Sequence, residues 1–185
     1  MARRRVVPIV VLVLAAAGMT VGRAGETICF EAESADTVTA AVQVVTVDIS
    51  AEPAAVKEAS GGKCLEVKEG AGKPPDMGGE AVYRFEIKAG GMFVLWVRAW
   101  WMDGCGNSLT LMLDNGRPFV FGEDGTFKSW HWVRGMKADL KPGRHELKIQ
   151  NREDGIKIDQ VLLTSDMRYV PVGAEDVTTK TLVNK

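Results

Sequence analysis

The sequence predicts an all-β protein built as one jelly-roll β-sandwich domain. Short runs in which apolar and polar residues alternate recur along the chain, and Gly, Pro, Asn and Asp separate them. No run repeats convincingly with the 3.6-residue period of an amphipathic helix. Many short strands joined by turns are typical of sandwiches and jelly rolls. The 185 residues suffice for one such domain with a substantial core.

The alternating runs place the strands in order. After a first strand that contains Glu31 and Glu33, strands are expected at residues 83–87, 92–100, 109–113, 127–134, 145–149 and 156–164. The sequence Asp114-Asn115-Gly116 is a strong hairpin signal, and Pro118 places the following strand at an edge. Residues 38–57 are ambiguous, because their valines favour a strand while Ala51–Ala59 favours a short helix.

The two ends of the chain differ from the middle. Residues 1–24 combine a basic start, an apolar run from Val6 to Ala17 and a small-residue site at Gly22-Arg23-Ala24, which is the pattern of a secretory signal peptide. The apolar run is shorter than the roughly 20 residues that span a bilayer, although a retained anchor would begin with the same charges. Residues 25–165 form the predicted sandwich, and residues 166–185 a C-terminal tail.

Charge and localisation limit the partners. The chain has 23 basic and 24 acidic residues. Cleavage of the signal peptide removes four arginines and no acid, so the mature part carries a net charge of −5. This balance argues against nucleic acid, whose phosphates bind proteins with excess Lys and Arg. We expect a secreted, periplasmic or cell-surface protein with no membrane association after cleavage.

The three cysteines leave two alternatives open. Cys29, Cys64 and Cys105 are widely spaced and odd in number, which fits neither a metal knuckle nor a dense disulfide framework. One disulfide plus one free thiol fits an oxidising compartment, and three buried, unpaired cysteines are the alternative.

The sequence contains no familiar catalytic motif. It has no G-x-S-x-G elbow, no P-loop, no dinucleotide-binding glycine pattern and no H-E-x-x-H. Its two histidines, His131 and His145, lie in predicted strands without a histidine neighbour at metal spacing. The adjacent acids Glu123-Asp124 and Glu153-Asp154 lie in turn sequences, where solvated acids are common. We therefore predict a protein that is not an enzyme, with a hydrolase as the least favoured alternative.

Three acids form a candidate metal site. Glu31 and Glu33 alternate in the first strand, so both side chains point to the same side. Asp159 interrupts the apolar last strand, where an unpaired charge would be costly. If the first and last strands are neighbours, the three carboxylates can converge on calcium, which takes six to eight oxygen ligands. The alternative is that they pair with basic side chains or face water.

An ordered series of short segments resembles carbohydrate-binding modules of families 6 and 35, over about residues 27–165. The segments that carry the resemblance are Phe30-Glu31-Ala32-Glu33-Ser34, Ser60-Gly61-Gly62-Lys63, Val97-Arg98-Ala99, Leu113-Asp114-Asn115-Gly116, Trp130-His131-Trp132, Lys141-Pro142-Gly143-Arg144-His145 and Ile158-Asp159-Gln160-Val161.

The resemblance implies a jelly-roll sandwich, a structural calcium ion at Glu31, Glu33 and Asp159, and a sugar cleft among the loops at one end. Sugars suit such clefts because a pyranose has an apolar face that covers an aromatic ring. The residues predicted to contact carbohydrate are Trp130, Trp132, Trp101, Trp100, His131 and Asn151. For each tryptophan a place in the core is the alternative. Asn151 is included among these residues because Lys157 stands where the resembled modules commonly have an asparagine before the Ile-Asp pair.

The sequence thus predicts an exported, non-catalytic module that binds a glycan or polysaccharide and holds one structural calcium ion. The alternative is a structural or adhesive surface domain that has kept the sandwich, lost the sugar site and contacts a cell-surface protein.

Overall fold

The computed structural model describes residues 25–71 and 78–178. The predicted signal peptide and the end of the tail lie outside this part. Within it the chain forms eleven strands: β1 Thr27–Glu31, β2 Thr37–Val38, β3 Val42–Thr46, β4 Lys63–Val67, β5 Glu80–Ile87, β6 Gly91–Trp101, β7 Ser108–Leu113, β8 Phe119–Gly122, β9 His131–Leu140, β10 Gly143–Asn151 and β11 Ile156–Thr164. One helix, α1 (Pro53–Glu58), and two short 3-10 turns, Ala32–Ser34 and Ser60–Gly62, complete the described elements.

Two antiparallel sheets make up the sandwich. The six-stranded sheet has the order β3-β4-β11-β6-β9, with β1 also paired to β11, and the five-stranded sheet has the order β2-β5-β10-β7-β8. The predicted all-β sandwich is confirmed. The pairing of β1 with β11 also confirms that the first and last strands are neighbours, and β8 is an edge strand as Pro118 indicated.

The core lies between the sheets because alternate residues of each strand face inward. In β6, Phe93, Leu95 and Val97 join the central core, while Trp96 and Arg98 belong to the outer face of the six-stranded sheet. The ambiguous region contains both predicted structures, since β3 is followed by α1. Proline at the first position of α1 suits a helix start, where its missing N–H costs nothing.

Two local features position side chains of interest. The hairpin between β7 and β8 turns at Asp114 and Asn115, whose φ values of 51° and 54° are those of a type I′ turn. In β11 the register shifts between Ile158 and Gln160. Ile158 and Val161 both contribute to the core, so two residues separate them instead of one, and this bulge accommodates Asp159.

The loops at one end of the sandwich are tied to one another by hydrogen bonds. Gly155 O accepts from Met102 N at 3.0 Å, Asn107 O from Glu123 N at 2.8 Å, and Trp101 O from Lys128 N at 2.8 Å. We call this end, formed by residues 102–107, 123–130 and 152–155, the loop end. No helix among the described residues is long and apolar enough to span a membrane.

Candidate functional site

The three predicted metal ligands lie around the join of β1 and β11. Glu31 is the last residue of β1 and is paired in register with Gln160, next to the bulge at Asp159. The 3-10 turn that follows β1 carries Glu33. The two strand ends and this turn therefore bring the acids into one region, which we call the acid site.

The acid site has both satisfied and unsatisfied oxygens. Glu31 Oε1 accepts from Ser60 Oγ at 2.7 Å and from Gln160 Nε2 at 3.3 Å. Asp159 Oδ1 accepts from Ser60 N at 2.8 Å, and its other oxygen is paired with the buried guanidinium of Arg98. Glu31 Oε2 and Glu33 Oε2 are buried and have no hydrogen-bond partner in the described part of the chain.

The electrostatics show that negative charge is crowded there. Burial, reinforced by the charges of Glu31 and Asp159, raises the pKa of Glu33 from 4.5 to about 7. Burial also raises the pKa of Asp159, although hydrogen bonding and charge from Arg98 oppose the shift. Two orphaned carboxylate oxygens beside a third acid fit a hard cation such as calcium. As the side chains stand, no group of three His, Cys, Asp or Glu residues within ranges 25–71 and 78–178 is arranged to hold a metal ion.

Two of the predicted sugar-binding tryptophans are inside the protein. Trp100 and Trp101 were predicted to contact carbohydrate, which requires exposed rings, yet their exposed fractions are 4% and 0%. This expectation is wrong because β6 continues through Trp101, which packs in the central core against Phe121. Trp100 lies on the outer face, where the Lys157 ammonium sits 4.3 Å from its ring centre.

Lys157 forms a buried ion pair beside Trp100. Its Nζ lies 3.1 Å from Glu66 Oε1, and both side chains are 2% exposed. Glu66 also accepts from Ser50 Oγ at 2.9 Å and from Gln43 Nε2 at 3.4 Å. Glu66 of β4 thus neutralises the charge of Lys157 in the apolar strand β11, since the two residues are paired in register.

Trp130 and Trp132 are partly buried and use their indole N–H groups within the protein. Trp130 Nε1 donates to Ala55 O at 2.8 Å, so α1 covers one edge of the ring, and the Arg98 guanidinium lies 5.2 Å from its centre. Trp132 Nε1 donates to Gly173 O at 2.8 Å. The two rings pack in separate clusters of the outer face rather than in one cleft.

A C-terminal segment, residues 165–178, lies on the outer face beside Trp132. Met167 and Tyr169 pack against the cluster that includes Trp96. Thr178 N donates to Cys29 O at 2.9 Å, which attaches the end of the described segment to the edge of β1. The predicted tail therefore includes a portion that covers part of the sheet.

His131 and Asn151 lie near the loop end but are engaged internally. His131 Nε2 is 3.0 Å from Asp124 Oδ2, its Nδ1 is 2.9 Å from Ser129 O, and its ring meets Trp101 edge-on at 6.2 Å. Asn151 is fully buried at the end of β10, where its N–H donates to Gly79 O at 3.2 Å. Of the six predicted contact residues, the structure brings Trp101 and His131 together, and both lie on the face of the six-stranded sheet that points to the core.

An exposed aromatic ring at the loop end escaped the sequence analysis. Phe127 is 42% exposed, and its ring would lie 3.9 Å from a Cβ atom placed on Gly104 of the neighbouring loop. The segment Gly125-Thr126-Phe127-Lys128-Ser129 is a polar loop with one large apolar residue. That contrast was the available signal, and the nearby tryptophans obscured it.

The cysteines are all free thiols. Cys29 and Cys64 are buried and Cys105 is exposed in the loop after β6. The cysteines are therefore unpaired, as the second alternative had it, but the expected burial is wrong for Cys105. Burial is the main cause that raises the pKa of Cys29 to about 12, and it raises the pKa of Cys64 as well.

Comparison with known proteins supports the fold. No protein-family model matches the sequence, and no curated protein matches it. Among solved structures, the chain is similar to a family 35 carbohydrate-binding module from Clostridium thermocellum, with 15% identity, a TM-score of 0.54, and coverage of 75% of this chain and 97% of that one. It is also similar to the C-terminal family 6 module of LamC, a laminarinase from Zobellia galactanivorans, with 18% identity, a TM-score of 0.52, and coverage of 76% and 100%.

Larger enzymes match over a fraction of their length. The Podospora anserina β-(1,4)-mannanase of the GH26-CBM35 type has 18% identity and a TM-score of 0.58, with 80% of this chain covered but 29% of that chain. The predicted resemblance to family 6 and family 35 carbohydrate-binding modules is therefore confirmed as a likeness of fold, that of a single-domain β-sandwich.

Proposed function

We propose that this chain is an exported, non-catalytic carbohydrate-binding module that contacts a glycan or polysaccharide through its loop end. The fold supports the class, because the similar solved structures include isolated modules of families 6 and 35. The observation that carries the site is Phe127. Of the aromatic residues in the described ranges, Phe119 and Phe127 are exposed, and Phe127 is the one that lies in a loop of this end.

The loop end offers both an apolar ring and polar side chains for a sugar. An apolar face of a pyranose can cover the phenyl ring while its hydroxyl groups meet polar side chains at the edge. Arg152 and Glu123 supply such groups at the loop end, where they form an ion pair at 3.2 Å. Lys128 follows Phe127 directly.

The proposal includes a structural calcium ion at the acid site. Glu31, Glu33 and Asp159 would hold it, and the two orphaned oxygens of the glutamates are the support. When bound, the ion would supply positive charge to crowded carboxylates and so stabilise the join of β1 and β11. It has no part in chemistry on the sugar.

The test compares three variants of the purified protein on an immobilised glycan that retains the wild-type protein. Phe127→Ala should weaken retention by about tenfold, because the sugar loses the apolar surface of the phenyl ring and a loss of about 1.4 kcal/mol corresponds to a factor of ten. Phe127→Trp should preserve retention. Phe119→Ala is the matched control, since Phe119 is exposed to a similar degree, 39%, on edge strand β8. Equal retention by Phe127→Ala and Phe119→Ala would contradict the site.

Export and the leader are tested separately. We expect the secreted protein to begin at Gly25, which intact-mass analysis of material recovered outside the cytoplasm would show. A protein that keeps residues 1–24 in the membrane fraction would contradict cleavage.

A surface domain with a protein partner is the second candidate. Its specific support is the C-terminal segment, which presents Val170 and Val172 to solvent. Such a domain should co-purify with its partner and bind no glycan.

A further inference from the structure

His131 is held by two acceptors at once. Its Nδ1 lies 2.9 Å from Ser129 O, and its Nε2 lies 3.2 and 3.0 Å from the two carboxylate oxygens of Asp124. A carbonyl and a carboxylate can only accept hydrogen bonds, whereas a neutral imidazole donates from one nitrogen and accepts at the other. Both contacts therefore form together when the ring is an imidazolium.

Asp124 connects that ring to the loop that carries Phe127. Its Oδ1 accepts from Thr126 N at 2.9 Å and its Oδ2 from Trp101 Nε1 at 3.3 Å. On the other side of Phe127, Lys128 N donates to Trp101 O at 2.8 Å. The residues on both sides of Phe127 are thus fixed to the Asp124–Trp101 unit.

Other charges near His131 are engaged elsewhere. Within the loop, Glu123 pairs with Arg152, and Asp103 of the preceding loop accepts from the backbone of residues 105 and 106. The charged residues of the paired strands belong to the outer face: Arg98 of β6 pairs with Asp159, and Arg134 of β9 lies over Trp96. Lys128, the basic residue of the same loop, is exposed.

We propose that Asp124 and His131 are positioning residues of the binding loop, and that protonated His131 holds Phe127 in the orientation that receives a sugar. This inference rests on the proposed function. Neither residue needs to touch the glycan. Loss of the ring proton removes one of the two contacts, so the loop loosens and binding weakens.

The chain supplies a matched control at the opposite end of the sandwich. His145 Nδ1 lies 2.6 Å from Asp114 Oδ2, and its Nε2 lies 2.8 Å from Lys141 O. His145 therefore has the same pair of acceptors without any contact to the loop end.

The experiment is an NMR titration from about pH 5 to 8 of the Thr126 and Phe127 amides and the Trp101 indole N–H. The wild type is compared with His131→Gln and with the control His145→Gln. We expect these three signals to titrate in the wild type and in His145→Gln and to be independent of pH in His131→Gln. Asp124→Asn, which keeps the size and removes the charge, is the second variant and should abolish the titration too.

Glycan affinity is measured over the same range. Losing one hydrogen bond of about 1 kcal/mol corresponds to roughly fivefold weaker binding at high pH, expected in the wild type and in His145→Gln but not in His131→Gln. Loop signals that ignore pH, or that titrate equally in His131→Gln, would overturn the assignment. A loop that titrates through His131 in a protein that binds no glycan would support the positioning role and refute the proposed function.

Discussion

The acid site makes a quantitative prediction for the protein without a bound cation. Burial, with added repulsion from neighbouring acids, raises the pKa of Glu33 from 4.5 to about 7. Because one pKa unit corresponds to about 1.4 kcal/mol, ionising Glu33 in the folded state costs about 3 kcal/mol. Between these two values the folded protein binds more protons here than the unfolded chain, so this contribution to stability falls as the pH rises from 4.5 through 7.

Glu33→Gln isolates the effect, because glutamine is neutral at every pH. In the presence of a chelator, we expect Glu33→Gln to be more stable than the wild type by up to about 3 kcal/mol at pH 8 and about equal to it near pH 4. The assay is urea unfolding followed by tryptophan fluorescence at several pH values. Parallel pH profiles for the two proteins would refute the reasoning.

Calcium should remove most of the stability difference between the two proteins at high pH. A cation that binds the ionised carboxylates stabilises the fold by about 2.7 kcal/mol at a concentration one hundred times its dissociation constant. The wild type is therefore expected to gain more from calcium at pH 8 than Glu33→Gln does. Equal gains, or none in either protein, would contradict a calcium site that uses Glu33.

Further predictions concern the outer face and the thiols. Lys157→Met leaves the Glu66 carboxylate buried and unpaired, so it should lower the free energy of unfolding in urea by about 3–5 kcal/mol. Adding Glu66→Leu to this variant should recover most of that loss. A loss of less than about 1 kcal/mol in the single variant would contradict the buried pair. Trp132→Phe removes the bond to Gly173 O and should cost about 1 kcal/mol and increase hydrogen exchange in residues 165–178, whereas unchanged exchange would show that this bond does not secure the segment. In the native protein a thiol reagent should modify Cys105 alone, with all three cysteines reacting after unfolding; a second reactive thiol in the folded state would contradict the buried positions.

The strands followed from sequence because their signals are local. Alternation placed β5, β7 and β10, and the Asp114-Asn115-Gly116 turn appears as a type I′ hairpin. The metal-site hypothesis required the first and last strands to be neighbours, and the pairing of β1 with β11 meets that condition.

The burial of each tryptophan ring depends on contacts with residues that are distant in sequence. No local pattern shows that α1 lies over Trp130 or that the C-terminal segment reaches Trp132. Trp101 ends a strand, a position that suggests exposure, but Phe121 and His131 enclose it from other strands. Phe127 was missed because residues 127–134 were predicted to form one strand, whereas β9 begins at His131 and Phe127 lies in the loop before it.

The contacts that His131 and Lys157 make within the protein could not be predicted from the sequence either. Lys157 was considered only as the replacement of an asparagine, because no local pattern shows that it pairs with Glu66 of β4. His131 was expected to contact sugar, and its two nitrogens instead face Ser129 and Asp124. Both cases turn on strand register and loop conformation.

Direct binding of the wild-type protein to carbohydrate is the most decisive measurement. A broad glycan array and a set of insoluble polysaccharides, probed with calcium and again with a chelator, should show retention on at least one glycan and weaker retention after chelation. Folded, calcium-loaded protein that binds none of them and co-purifies with another protein would contradict the proposed module and favour a protein-contacting surface domain.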